Sequence, residues 1–118
     1  MTFDEFRFEM ESYRQSAVND AKLFKNSQIV FEKLRALYGK FDESERLMAN
    51  DVLTRWALSE NEDMRFDALS LIDEFAVRSS IPALNELIVR LANSDLPSAP
   101  FELKKVSRII SKLENLSD

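Results

Sequence analysis

The side chains of this sequence that can do chemistry are mainly carboxylates, because its 118 residues include neither His nor Cys. The chain therefore lacks the commonest general base, the commonest transition-metal ligand and the thiolates of disulfides and iron–sulfur clusters. Acid pairs stand at helical spacing, Asp63 with Asp67 and Asp42 with Glu43 and Glu45. Paired carboxylates do general acid–base work only where their surroundings differ strongly. Nothing in the sequence places these acids in an apolar pocket, so we interpret them as solvated helix faces and predict no catalytic activity.

The densest acidic run is Glu60-Asn61-Glu62-Asp63, and its pattern favours a capped turn over a metal site. The chain has no EF-hand loop to gather oxygen ligands around Ca²⁺. Loops that cradle phosphates are rich in glycine, and this chain has a single Gly. We therefore expect no metal and no cofactor. A carboxylate-based hydrolase or lyase is the enzyme alternative, and it would need a deep pocket that holds two acids.

The net charge of −5 is concentrated in the middle of the chain, where residues 41–100 carry 12 acidic and 5 basic residues. Lys and Arg replace the counterions of phosphate backbones, so an acidic middle argues against a nucleic-acid partner. It favours a basic partner, or simply solubility. No stretch approaches the roughly 20 apolar residues of a membrane span, and the acidic, helical start is unlike a signal peptide. We therefore expect no membrane partner and a cytoplasmic location.

The elements that must position these residues are helices. One Gly and three Pro supply little turn material for a β-sandwich, while 45% apolar residues suffice for a core. Apolar residues recur at steps of three and four in six segments. Start signals stand at Thr2, Asp42 and Pro82, and Gly39 predicts a left-handed helix cap. We predict one all-α domain of about six helices in three antiparallel hairpins, over about 2–39, 42–78 and 80–116.

Two stretches of the chain resemble HEAT-type helical repeats. One stretch is similar to the start of the second helix of such a repeat, namely Asn61-Glu62-Asp63-Met64-Arg65 followed by Ala68, Leu69 and Ile72. The first helix of the next repeat resembles Ile81-Pro82-Ala83-Leu84, followed by Leu87 and Leu91. The resemblance covers residues 59–91 and implies a short solenoid of stacked hairpins, of which about three are needed to bury a continuous core. It also implies that Asp63 and Arg65 tie successive repeats together.

The fourth helical segment carries the candidate partner-binding surface. At about 100° per residue, its polar residues from Asp63 to Glu74 fall in one narrow sector. Phe66 flanks that sector nearly opposite the apolar stripe, so it is either partly exposed or covered by a neighbouring repeat. An aromatic side chain beside a row of acids supplies buried area and steers a basic partner. The predicted contact residues are Glu62, Asp63, Phe66, Asp67, Ser70 and Glu74.

Two structural alternatives stand beside this surface. A charged stripe is most often a solvated helix face with no partner. The sixth segment also carries Lys104, Arg108 and Lys112 at steps of four, and stacked hairpins would lay this basic stripe beside the acidic one. Exposed pairs of this kind contribute roughly 0–1 kcal/mol each, but they would leave less negative potential for a partner.

The sequence favours a protein-binding role. Small size, acidic charge and the lack of reactive residues predict a bacterial-type immunity or inhibitor protein, whose acidic face covers a basic toxin. The alternative is a structural scaffold or adaptor subunit that self-associates as a homodimer, because the first segment could expose apolar surface. The phenylalanines of that segment are Phe3, Phe6, Phe8 and Phe24.

Overall fold

The computed structural model describes residues 2–116, and helices account for all of the regular structure in that range. The all-α prediction is therefore confirmed for the described residues. None of these helices is long and apolar enough to cross a bilayer. The helices are α1 (Phe3–Phe24), α2 (Gln28–Lys40), α3 (Glu43–Ala57), α4 (Glu62–Phe75), α5 (Ile81–Ala92) and α6 (Ala99–Glu114), and a 3₁₀ turn (Arg78–Ser80) precedes α5.

Side-chain caps set the starts of three helices. The Thr2 hydroxyl accepts a hydrogen bond from the Glu5 backbone N–H at 3.1 Å, which caps α1. Asp42 and Glu45 form a reciprocal capping box at the start of α3, with distances of 2.8 and 3.0 Å. Asn61 caps α4 by accepting from the Met64 backbone N–H at 3.1 Å. The predicted capped turn at Asn61 is therefore confirmed.

The predicted left-handed cap at Gly39 is wrong. Gly39 lies inside α2, which continues to Lys40. Within residues 2–116 the left-handed residues are Lys25 and Ala76, both with φ of 52°. They end α1 and α4, where their backbone N–H groups and those of the next residues bond the last free carbonyls. Hydrogen bonding at the two helix ends therefore outweighs the preference of glycine for this backbone conformation.

The chain divides into two compact units, with the boundary between Val52 and Leu53 inside α3. In the N-terminal unit α1 packs against α2. The Phe6 ring lies 5.1 Å from the ring of Phe41, which follows α2. The Tyr38 hydroxyl donates to Asn50 Oδ1 at 2.8 Å, and burial is the main cause that raises the Tyr38 pKa. This unit thus has an aromatic core with a satisfied polar group.

The C-terminal unit holds α4, α5 and α6 around an apolar core. The fully buried side chains of these helices include Leu69, Leu71, Ile72, Leu84, Ile109 and Leu113. α6 packs against both α5 and α4. Near their starts α4 and α6 are joined by Arg65 and Glu102, and near their ends by Asp73 and Lys112. The two helices therefore run side by side in the same direction.

Candidate partner-binding site

A cleft of about 330 Å³ opens between the first halves of α4 and α6. Three of the six predicted contact residues line it, namely Glu62, Asp63 and Phe66. The full lining is Glu62, Asp63, Phe66, Leu69, Ser98, Phe101, Glu102 and Lys105. Because α4 and α6 run parallel, each turn of one helix faces the matching turn of the other, and the cleft follows the seam between them.

A largely buried ion pair joins α4 to α6 beside the cleft. Arg65 is only 7% exposed, and its Nε and Nη2 donate to the two carboxylate oxygens of Glu102 at 2.7 and 3.0 Å. Its Nη1 donates to the Ser59 carbonyl at 3.0 Å. The hydrogen bond with Glu102 is the main cause that raises the Arg65 pKa above its usual value. This two-pronged contact sets the register of α6 against α4.

The resemblance to HEAT repeats implies a structural role for both Asp63 and Arg65, and the structure separates the two residues. Arg65 makes its ion pair with Glu102, one turn into α6. Asp63 is exposed and lines the cleft instead. The acid that pairs with Arg65 thus comes from α6, two helices further along the chain.

Two exposed phenylalanines form the rim of the cleft. Phe66 is 58% exposed and Phe101 is 77% exposed. The Lys105 ammonium lies over the Phe66 ring, 3.9 Å from its centroid, which is a cation–π contact. Burial, helped by the positive charge of Arg108, lowers the Lys105 pKa despite the nearby carboxylates. The sequence predicts that Phe66 is either partly exposed or covered by a neighbouring repeat, and in the structure it is partly exposed.

Two carboxylates stand at one end of the cleft. Glu62 and Asp63 lie in the first turn of α4, where the helix dipole favours negative charge. Glu62 accepts a long hydrogen bond from the Ser98 hydroxyl at 3.5 Å. Asp63 makes no ion pair with any residue in the described range. This end of the cleft therefore presents negative charge to solvent.

The rest of the predicted acidic stripe lies elsewhere. The expected exposure of Asp67 is wrong, since its exposed fraction is 9%. Asp67 lies next to the apolar stripe on the surface of α4. The part of the α4 surface that is buried is wider than the apolar stripe, so it includes Asp67. The Ser70 hydroxyl donates to the Phe66 carbonyl at 2.9 Å, so it is satisfied within its own helix. Glu74 is exposed, is the second-last residue of α4 and does not line the cleft.

Two of the three basic residues predicted to compete for the acidic stripe meet a different acid. Arg108 Nη2 donates to Asp73 at 3.2 Å, and Lys112 Nζ donates to its other oxygen at 2.9 Å. Burial alone would raise the pKa of Asp73, but the hydrogen bonds from Lys112 and Arg108 together lower it. Lys104 is exposed. Internal pairing therefore occurs at Asp73 and leaves Glu62 and Asp63 at the cleft.

Sequence reasoning missed Phe101, Glu102 and Lys105. Their signal is a spacing on α6, because Ser98, Phe101 or Glu102, and Lys105 stand three or four residues apart on one helix face. In the structure this face of α6 packs against α4. Helical spacing in the sequence identifies such a face, but it does not show which other helix packs against it.

The cleft offers aromatic faces, two carboxylates and one ammonium group, which together recognise a ligand by shape and charge. Within residues 2–116 no three acidic side chains are grouped so that they could hold a metal ion. Comparisons with protein-family models, curated proteins and solved structures find no match to this chain.

Proposed function

We propose that this chain is a non-enzymatic protein-binding domain, and that it holds its partner through the cleft between α4 and α6. The observation that carries the proposal is the pair of exposed rings, Phe66 and Phe101, beside the carboxylates of Glu62 and Asp63. Aromatic residues, Phe included, are enriched at protein interfaces, where a few well-packed side chains contribute most of the binding energy.

A macromolecular partner fits this cleft better than a small ligand. Small-molecule pockets bury most of the ligand surface between largely buried walls. Here the rim residues keep more than half of their surface in water, 58% for Phe66 and 77% for Phe101. A small molecule in the cleft would leave the outer faces of both rings solvated, whereas a protein surface would cover them.

A basic partner suits the charge of the site. Glu62 and Asp63 stand at one end of the cleft, and the whole chain has a net charge of −5. Negative potential speeds the approach of a positive protein and disfavours nucleic acid. In its most specific form the proposal is an immunity or inhibitor protein of bacterial, cytoplasmic origin that covers the basic surface of a toxin.

We also propose that α3 to α6 follow the HEAT-like arrangement that the sequence resembles. The parallel course of α4 and α6 supports it, since the second helices of adjacent repeats lie side by side in such stacks. The Arg65–Glu102 pair would then be the tie between two repeats. Antiparallel hairpins over about 2–39, 42–78 and 80–116 remain the proposed units.

Co-expression with the products of the adjacent genes tests the function. We expect one neighbour to arrest growth when expressed alone, and this chain to restore growth. The variant with Glu62→Lys and Asp63→Lys should fail to restore it, because the cleft then repels a basic partner. The matched control, Asp95→Lys with Glu114→Lys, makes the same change in net charge at exposed positions outside the cleft. Full protection by the cleft variant, or the absence of a toxic neighbour, would contradict the proposal.

The exposed apolar residues of α1 favour a second candidate, a scaffold or adaptor subunit that self-associates. Phe8 is 69% exposed, and Leu23 and Phe24 near the end of the helix are exposed to a similar degree. Phe6 is buried and cannot contribute. Sedimentation velocity at several concentrations separates the candidates, since a homodimer gains mass with concentration and loses that gain on Phe8→Ser.

A further inference from the structure

The cleft between α4 and α6 has ends of opposite charge. Glu62 and Asp63 mark the end near the start of α4, where Glu62 meets Ser98. Lys105 stands further along the seam, against Phe66. At a rise of 1.5 Å per residue, Ser98 and Lys105 are about 10 Å apart along α6, and Glu62 and Phe66 about 6 Å apart along α4. The two charged ends are therefore roughly 6–10 Å apart along the helices, with Phe101 of α6 between them.

Lys105 has no direct ion pair. Its ammonium contacts the Phe66 ring and makes no ion pair with a carboxylate in the part of the chain that the structure describes, while Asp73, Glu102 and Asp67 act on its charge from a greater distance. Glu102, on the adjacent turn of α6, already accepts hydrogen bonds from Nε and Nη2 of Arg65. Arg108, one turn further on α6, also acts on Lys105 but is itself paired with Asp73. An anion placed here would gain a charge partner in a half-apolar setting, where such pairs are stronger than in bulk water.

We infer that the cleft recognises a linear segment of the partner with three side chains in a fixed order. A Lys or Arg contacts Glu62 and Asp63, a large apolar residue enters between Phe66 and Phe101, and an Asp or Glu contacts Lys105. This inference rests on the proposed protein-binding function and names the chemistry of the segment bound. The acidic position goes beyond a general preference for basic partners, because it gives the segment a direction in the cleft.

The spacing of the charges suits a helical peptide. On a helix, residues four apart lie on the same face about 6 Å apart along the axis, and the residue three after the first lies on that face as well. A base, an apolar residue three positions later and an acid one position further on therefore fit between the ends of the cleft. In an extended chain, the residue between two charged ones points to the opposite face and cannot enter the cleft with them. The volume of about 330 Å³ leaves room for the apolar side chain and the inner parts of its two neighbours.

The test is a displayed library of short random peptides, selected in parallel on the whole chain and on its Lys105→Glu variant. We expect peptides selected on the wild type to contain base, apolar residue and acid in one consistent order. Peptides selected on Lys105→Glu should carry Lys or Arg in place of the acid. For synthetic peptides of the two classes, exchanging the protein variant should weaken binding about fivefold and reverse the preference.

The controls separate recognition from folding. Lys104→Glu makes the same charge change on the neighbouring, exposed residue outside the cleft and should select the wild-type pattern. Phe66→Ala should weaken the selected peptides about tenfold, whereas Val89→Ala, on α5, should leave them unchanged. Lys105→Gln serves where Lys105→Glu unfolds, since it should abolish the preference for the acid without reversing it. Circular dichroism and thermal unfolding confirm that each variant is folded.

Two outcomes overturn the inference. One is the enrichment of basic and apolar residues without an acid, unaffected by Lys105→Glu, which contradicts the three-part pattern and leaves the proposed function standing. The other is a library without enriched peptides, which contradicts recognition of a linear segment. If the co-expression test then succeeds, the domain binds a folded surface, and if it also fails, the proposed function falls with the inference.

Discussion

At the scale of single residues, Ala76 shows how a helix end can be stable in an unfavourable backbone conformation. Its φ of 52° and ψ of 56° place it in the left-handed region. A Cβ in that region costs roughly 1 kcal/mol that glycine avoids. The N–H of Val77 bonds the Ile72 carbonyl at 3.1 Å, and that of Ala76 bonds the Asp73 carbonyl at 3.4 Å. These bonds hold the end of α4 closed.

Replacement of this alanine should therefore stabilise the protein. We expect Ala76→Gly to raise the free energy of unfolding by about 0.5–1 kcal/mol, because glycine adopts the left-handed conformation without the Cβ penalty. The matched control is Ala92→Gly, at the helical end of α5, which should lower stability by up to about 0.5 kcal/mol. Urea unfolding measures both, and a loss of stability in Ala76→Gly would contradict the argument.

At the scale of elements, two arginines bind one glutamate and one carbonyl each, and they differ in burial. Arg65 joins α4 to Glu102 of α6 and to the Ser59 carbonyl, with side-chain exposures of 9% and 17% for the ion pair. Arg90 joins Glu86 of its own helix and the Leu58 carbonyl, with exposures of 50% and 55%. Solvent screens the second pair, so only the first should hold helices together.

This difference predicts unequal losses of stability. Arg65→Ala should lower the free energy of unfolding by about 3 kcal/mol, because it leaves Glu102 buried without its partner. Arg90→Ala should lower it by less than about 1 kcal/mol, since its partners remain solvated. The double variant Arg65→Ala with Glu102→Ala should lose less than the sum of the single variants. Equal losses for the two arginines, measured by urea unfolding, would show that the α4–α6 contact does not depend on this pair.

The sequence predicts contacts within one helix better than contacts between helices. Caps such as Asp42 with Glu45 act within one turn, so the sequence contains both partners of each contact. Gly39 was assigned a cap from its residue type, but the ends of helices depend on which carbonyls still need donors. Asp67 and Phe101 were misplaced or missed for another reason. Their surroundings are set by the register between helices, and periodicity within one helix does not encode it.

At the scale of the whole molecule, charge and aromatic surface have different effects on binding. The net charge of −5 acts over the distance of approach, where salt screens it. Phe66 and Phe101 act only after contact, when their exposed faces leave water. Steering by charge mainly changes the association rate, and buried contacts mainly change the dissociation rate. The two halves of the proposed site can therefore be separated by kinetics.

We expect the association rate with the basic partner identified by co-expression to fall about tenfold or more between low and physiological salt, with a nearly constant dissociation rate. Asp63→Lys should lower the association rate and weaken its dependence on salt. Phe66→Ala should raise the dissociation rate about tenfold and leave the salt dependence of association unchanged, because it removes contact area and no charge. Surface plasmon resonance over a series of NaCl concentrations measures both rates. An association rate independent of salt would contradict electrostatic steering, and an unchanged dissociation rate in Phe66→Ala would place the contact outside the α4–α6 cleft.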